Sequence, residues 1–123
     1  MSRIQFDNEK EGERGMVTVI LRKGIFRIPL TTLRYLQKEG RKLRLVHEGG
    51  TVDHYGKMEE VEGRLPPCFF RCHYSTVVNF HYVQSLKENF FYLVTGEILA
   101  VSQRKRGDAR RAFLHFLQEE EKR

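Results

Sequence analysis

Five basic side chains fall close together near the end of the chain: Arg104, Lys105, Arg106, Arg110 and Arg111, with Asp108 the single acid among them. They follow a strand-like segment and open a helical one. Side chains and helix N-terminal amides in that setting can address phosphate oxygens together, and a solvated helix face has the same composition. A second group, Lys38, Arg41, Lys42 and Arg44, gathers around a predicted hairpin tip, and Arg71 beside His73 makes a third. A charged turn accounts for either one taken alone. Three basic loops on one scaffold point to an anionic partner, with nucleic acid the first candidate.

Cys68, Cys72, His73 and His81 supply the soft ligands that suit zinc. Their spacing argues against it, because Phe69 and Phe70 interrupt the cysteine pair in a segment that looks packed. Two buried small hydrophobes are predicted there, and no metal site. Cys72, between Arg71 and His73, is expected to have a lowered thiol pKa, which suits a redox sensor or a nucleophile. Neither an oxyanion loop, a Gly-rich phosphate cradle nor a suggestive pair of carboxylates accompanies it. The expectation is therefore no catalytic residue, no cofactor and no small-molecule substrate. Phe90-Phe91-Tyr92 suits base stacking on an exposed sheet and suits a core strand equally.

These residues need a scaffold, and 123 residues suffice for one domain with a single packed centre. At 40% hydrophobic and 31% charged, the chain is too apolar for disorder and too polar for a membrane protein. No apolar run approaches the length of a membrane span, and the charged start MSRIQFDNEKEGERG lacks the apolar centre of a signal peptide. A cytoplasmic protein is expected, with its two cysteines reduced. Twenty-two Lys and Arg against 16 Asp and Glu leave a formal charge of +6, which favours an anionic partner.

Residues 1–15 read as an N-terminal strand or arm around Ile4 and Phe6 followed by a polar linker, with the domain proper at 16–123. Val17, Val19 and Leu21 keep a period of two, Lys23-Gly24 offers a turn, and Phe26, Ile28 and Leu30 resume the period. A second hairpin runs from Leu33–Gln37 through Lys38-Glu39-Gly40-Arg41 into Lys42–His47, and Thr51–Tyr55 follows after Glu48-Gly49-Gly50. Met58, Val61 and Leu65 share one stripe of a helix predicted from about Lys57 until Pro66-Pro67 forbids it, with Gly63 weakening that helix. Cys68 to Asn79 is aromatic and β-branched without clean alternation. Strands are predicted at Tyr82–Lys87, Phe90–Val94 and Ile98–Val101, with turns at Glu88-Asn89 and Thr95-Gly96. Ala109, Ala112, Phe113, Phe116 and Leu117 mark a final helix with Asp108 at its cap or first turn. Six or seven short strands and one or two short helices make a mainly β, antiparallel domain. Without a helix-turn-helix, zinc finger or basic zipper pattern, any DNA contact falls to loops and strand ends.

From Pro67 to Asn79 the chain reads PCFFRCHYSTVVN, and FFRCHYSTVVN resembles the signature of the LytTR DNA-binding domain: a phenylalanine, an arginine, a histidine, a serine and an apolar-Val-Asn run at this spacing. Ile28-Pro29-Leu30 and Tyr35-Leu36 resemble that family's opening strands, His54-Tyr55-Gly56-Lys57-Met58 its strand-to-helix step, and Ala100-Val101-Ser102-Gln103-Arg104 its closing strand with a Ser-x-Arg turn. The likeness spans about residues 16–117. It implies short antiparallel sheets stacked in an elongated body, whose loops enter successive major grooves of double-stranded DNA. Base-facing positions would be Arg41 or Lys42, Tyr74 and Arg104; Arg71, Ser75, Ser102, Lys105 and Arg106 would lie near phosphates. Asn79, Val77 and Val78 would hold the loop from inside, and His73 fits either role.

Tyr74 stands where many members carry a basic or amide side chain, and offers one hydroxyl and a ring for stacking or thymine-methyl contact. Larger members place a receiver domain before this module, and 15 residues cannot form one. The likeness therefore implies a free-standing bacterial transcription regulator, a second protomer on adjacent direct repeats and a membrane-bound regulatory partner. Two alternatives accompany this reading: a protein-interaction module of the same fold with weakened DNA recognition, and a Cys72-based redox-sensing regulator.

Overall fold

Val17 and Val19 point to one side of a strand because alternate residues share a face, and both are fully buried. In the structure, a computed structural model describing residues 2–7 and 15–122, that strand is β2 (Met16–Leu21). It lies between β1 (Ser2–Asp7) and β3 (Gly24–Pro29) in an antiparallel sheet. Val17 pairs with Ile28 and with Phe6, so the inward residues of all three strands meet on one face. The loop between β2 and β3 is Arg22-Lys23, one residue earlier than predicted, since Leu21 pairs with Gly24. The short strand expected at the start is β1; the polar linker expected after it falls largely on residues 8–14, outside the described residues.

The chain gathers into two compact units, Met1–Pro66 and Pro67–Arg123, where the length suggested one packed centre. The division falls at Pro66-Pro67, a pair that neither continues a helix nor donates backbone hydrogen bonds. After a 3₁₀ turn at Leu30–Thr32, the first unit continues with β4 (Leu33–Glu39), β5 (Lys42–His47) and β6 (Gly50–Tyr55). Leu36 pairs with Leu45, both fully buried, and Leu43 lies beside them on the same face of β5. The β4–β5 loop contracts to Gly40-Arg41, tighter than predicted, because Glu39 pairs with Lys42 and Gly40 takes φ +60°, where glycine carries no steric cost.

The helix predicted over Lys57–Leu65 shrinks to α1 (Glu59–Glu62). Met58 and Val61 are buried as their spacing required, but Gly63 and the following prolines stop propagation after one turn. His54, 2% exposed, sets the approach to α1: its Nδ1 is 2.7 Å from Ser2 Oγ and its Nε2 is 3.6 Å from the Glu60 carboxylate. Glu60 also accepts from the Lys57 N–H at 2.7 Å. Gly56 has no room for a methyl group, which would overlap the Glu60 carboxylate and the His54 ring.

The second unit holds β7 (Phe69–His73), β8 (Thr76–Asn79), β9 (Val83–Lys87), β10 (Phe90–Leu93), β11 (Ile98–Ala100) and α2 (Arg106–Glu121). β7 and β8 form one antiparallel hairpin, and β9, β10 and β11 form a sheet with β10 in the centre. All four residues of β8 are buried, which is why this segment shows no alternation. Phe80 is the hub of the core. Its ring lies 5.6 Å from Phe70, 5.7 Å from Phe91, 5.3 Å from Phe113 and 5.6 Å from Phe116, so Phe113 and Phe116 of the predicted stripe dock α2 against the core, whereas Leu117, predicted on the same stripe, stands 43% exposed at its edge. Eleven strands form among the described residues, more than the six or seven predicted, and β7 and β8, which lack a period-two signal, are among the additions.

Candidate nucleic-acid interface

His73 pairs with Thr76, leaving Tyr74-Ser75 as a two-residue turn between β7 and β8. The Ser75 N–H donates to His73 Nδ1 at 3.3 Å, and Ser75 Oγ lies 2.9 Å from the same nitrogen. The N–H contact needs Nδ1 as its acceptor, and the Ser75 hydroxyl can donate to the same nitrogen. The Arg71 guanidinium donates to the Tyr74 carbonyl at 2.5 Å. With the turn pinned at its carbonyl and its serine, the Tyr74 ring rests 4.6 Å from His73 and stands 76% exposed. His73 and Ser75 thus use their polar groups to shape the turn that presents Tyr74.

The segment after β11 is fastened to the strand that carries this turn. The Ser102 N–H donates to the Cys72 carbonyl at 2.9 Å, and Lys105 Nζ donates to the Arg71 carbonyl at 2.8 Å. The Lys105 ammonium also lies 5.9 Å from the Phe70 ring centroid. Between these anchors, Gln103–Lys105 forms a 3₁₀ turn closed by Lys105 N–H to the Ser102 carbonyl at 2.9 Å, and α2 begins directly after it. Arg104 and Arg106 project from this braced segment, exposed, and neither guanidinium has an ion-pair partner among the described residues. Arg71, His73, Tyr74, Ser75, Ser102, Arg104, Lys105 and Arg106 are therefore connected through one strand, β7. Arg110 is likewise exposed, whereas Arg111 is bonded to Asp108 one helical turn away.

Arg41 and Lys42 belong to the first unit, at the β4–β5 turn, with Arg41 exposed and Lys42 half-buried. Their two basic neighbours are committed locally. Arg44 Nε donates to Asp53 Oδ1 at 3.0 Å across the β5–β6 ladder, and that hydrogen bond raises the arginine pKa. Lys38 Nζ donates to the Gly40 carbonyl at 2.6 Å. Asp53 escaped the sequence reading; aligning β5 with β6 around Gly49-Gly50 would have placed it opposite Arg44.

The thiol reading is corrected by burial. Cys72 is fully buried, its Sγ 3.9 Å from the Thr76 carbonyl, and desolvation pushes its pKa up to about 12 in spite of nearby Lys105. Adjacent basic residues in sequence do not lower it, because β7 turns the cysteine inward. Among the described residues no cluster of three His, Cys, Asp or Glu side chains is arranged around a common metal position. Of the three rings at 90–92, Phe91 is fully buried in the core, Phe90 is 39% exposed and Tyr92 is half-buried under the Lys87 ammonium, 5.1 Å from its ring centroid. No helix among the described residues is long and apolar enough to cross a membrane.

The family of the LytTr DNA-binding domain matches residues 23–113, a span that contains both turns and the Ser102–Arg106 segment. Among solved structures, the LytTr DNA-binding domain of a Bacillus cereus protein assigned as a methyl-accepting/DNA response regulator is similar to this chain. The two are 26% identical with a TM-score of 0.72, covering 79% of this chain and 94% of that one. No curated protein matches the chain. A family match that spans residues 23–113, together with the structural likeness, leads to one assignment: this chain belongs to the LytTR DNA-binding domain family.

Proposed function

We propose that the chain is a sequence-specific transcription regulator of the cytoplasm that reads the major groove of double-stranded DNA from its loops, on paired direct repeats, without a catalytic step. The observation that carries this reading is the fastening of Ser102–Arg106 to β7 through the Cys72 and Arg71 carbonyls, which holds Arg104, Arg106 and Tyr74 out to solvent on a rigid base. A preorganised arginine loses less freedom on binding than one on a floppy loop. In this reading Arg104 and Arg41 address guanine edges, each bidentate contact worth roughly 1–3 kcal/mol of discrimination. Tyr74 contributes its ring and hydroxyl, and Lys42, Arg71, Ser102, Lys105 and Arg106 contribute to phosphate contact. Each phosphate neutralised adds about 0.9 to the salt slope of log K.

The test is selection of bound duplexes from a randomised library at about 0.15 M salt, where nonspecific affinity is already weakened. The expected outcome is an enriched motif occurring twice in the same orientation. Absence of any enriched motif overturns the reading and favours a protein-interaction module of the same fold, for which the exposed Tyr74 ring would be the contact.

A further inference from the structure

Helix α2 buries one flank and leaves a second apolar stripe open. Ala109 is fully buried, and Phe113 and Phe116 turn towards Phe80. Next to that flank, Leu114 is 45% exposed and Leu117 is 43% exposed. Arg110, Leu114, Leu117 and Glu121 recur at steps of four, three and four residues. At about 100° per residue they fall within one narrow stripe, the spacing of a helix-pairing seam. Arg110 and Glu121 are both exposed, and neither has an ion-pair partner among the described residues.

The stripe reads as its own complement when reversed. It begins with a cation, ends with an anion, and carries its two leucines symmetrically between them. Net charge along the helix follows the same division, with Arg106, Arg110 and Arg111 against Asp108 in the first half and Glu119, Glu120 and Glu121 at the end, where Lys122 pairs with Glu119. A helix of this kind matches a second copy of itself laid antiparallel and repels a parallel one, since parallel pairing sets like charges side by side.

We propose that α2 is a homodimer surface on which two copies of this chain pair antiparallel about a two-fold axis. Leu114 of each copy rests on Leu117 of the other, and Arg110 of each meets Glu121 of the other. The contact is isologous, so each pairing occurs twice. Four leucines and two ion pairs bury far less than a standard interface, which makes this a weak association with a Kd on the order of 0.1 mM. Direct repeats would align protomers in one orientation; a two-fold contact instead joins chains that occupy separate sites, and it forms without DNA.

Sedimentation equilibrium of the full chain at low salt, from about 10 μM to about 1 mM, reads the association directly. Arg110→Glu and Glu121→Arg each turn two attractions into two repulsions and are expected to raise Kd about tenfold. The double variant Arg110→Glu/Glu121→Arg is expected to restore it, a recovery that a folding defect cannot mimic. Leu114→Asn/Leu117→Asn, at exposed positions, is expected to abolish dimers while leaving the circular dichroism spectrum unchanged. A monomer at every concentration overturns the proposal and leaves the stripe to a different partner. Dimers indifferent to the single substitutions, or not recovered by the charge exchange, place the contact elsewhere and overturn it as well.

Discussion

Arg104 and Lys105 are neighbours in sequence with opposite structural commitments, so replacing each separates binding from folding. Lys105 Nζ donates to the Arg71 carbonyl at 2.8 Å. A hydrogen bond with a charged partner contributes roughly 1.5–3 kcal/mol net, and partial exposure of the ammonium reduces this to about 1–2 kcal/mol. The Phe70 ring, 5.9 Å away, lies at the outer reach of a cation–π contact and adds little. Lys105→Met keeps the stem and removes the donor, so it is expected to cost about 1–2 kcal/mol in urea unfolding followed by far-ultraviolet circular dichroism. It should also weaken every duplex alike and lower the salt slope by about 0.9 if the ammonium reaches a phosphate. Arg104→Ala removes an exposed side chain without a described partner and should change stability by less than about 0.5 kcal/mol. Its cost should appear in competition between a selected site and random duplex, where about 1–3 kcal/mol of discrimination, or roughly 5- to 150-fold, is lost. The reasoning is refuted if Arg104→Ala unfolds as readily as Lys105→Met, or if it retains full discrimination.

Two further outcomes follow from burial. Cys72, fully enclosed and with its thiol pushed up to about 12, should resist a disulfide reagent in the folded protein near pH 8 and react once urea unfolds the chain; prompt reaction in the folded state would restore the redox-sensor reading. Burial lowers the pKa of His54, against a smaller opposing pull from Glu60, and burial together with Arg34 lowers that of His47. A histidine depressed in the folded state binds its proton more readily when unfolded, so stability is full above the ordinary value near 6.5 and is lost as pH falls below it. Urea midpoints measured from about pH 7.5 down to about pH 5.5 should decline, and His54→Gln should flatten the decline; an unchanged slope in that variant would remove His54 from the account.

Much of the scaffold was legible because its strands have one wet and one dry face. Val17 and Val19 flank Thr18, Leu43 and Leu45 flank Arg44, and all four are buried as that period of two demands. Where both faces are covered the signal vanishes: β7 and β8 were not legible as strands, and Val77, Val78 and Asn79, expected inside a loop, form the buried strand β8 with Thr76. Helix length was misjudged at α1, since the Met58–Val61 stripe records which side is buried while Gly63 decides where propagation stops.

Residue types and local spacing determined on their own that the chain is mainly β, that it carries surplus positive charge, and that three stretches concentrate that charge. They also determined the family, because a signature is a property of order along the chain. Which cations stay available was decided only by the tertiary structure. Arg44 is spent on Asp53 and Lys38 on a carbonyl of its own hairpin, Lys105 is anchored through one of its three donors to the Arg71 carbonyl, and Arg104, Arg106 and Arg41 remain exposed. The same holds for Cys72, whose basic neighbours in sequence point one way while its thiol points the other. The physical reason is common to these cases. Charge is carried by the residue, but its partner and its solvent are supplied by strands and turns distant in sequence, and those are set by register and burial.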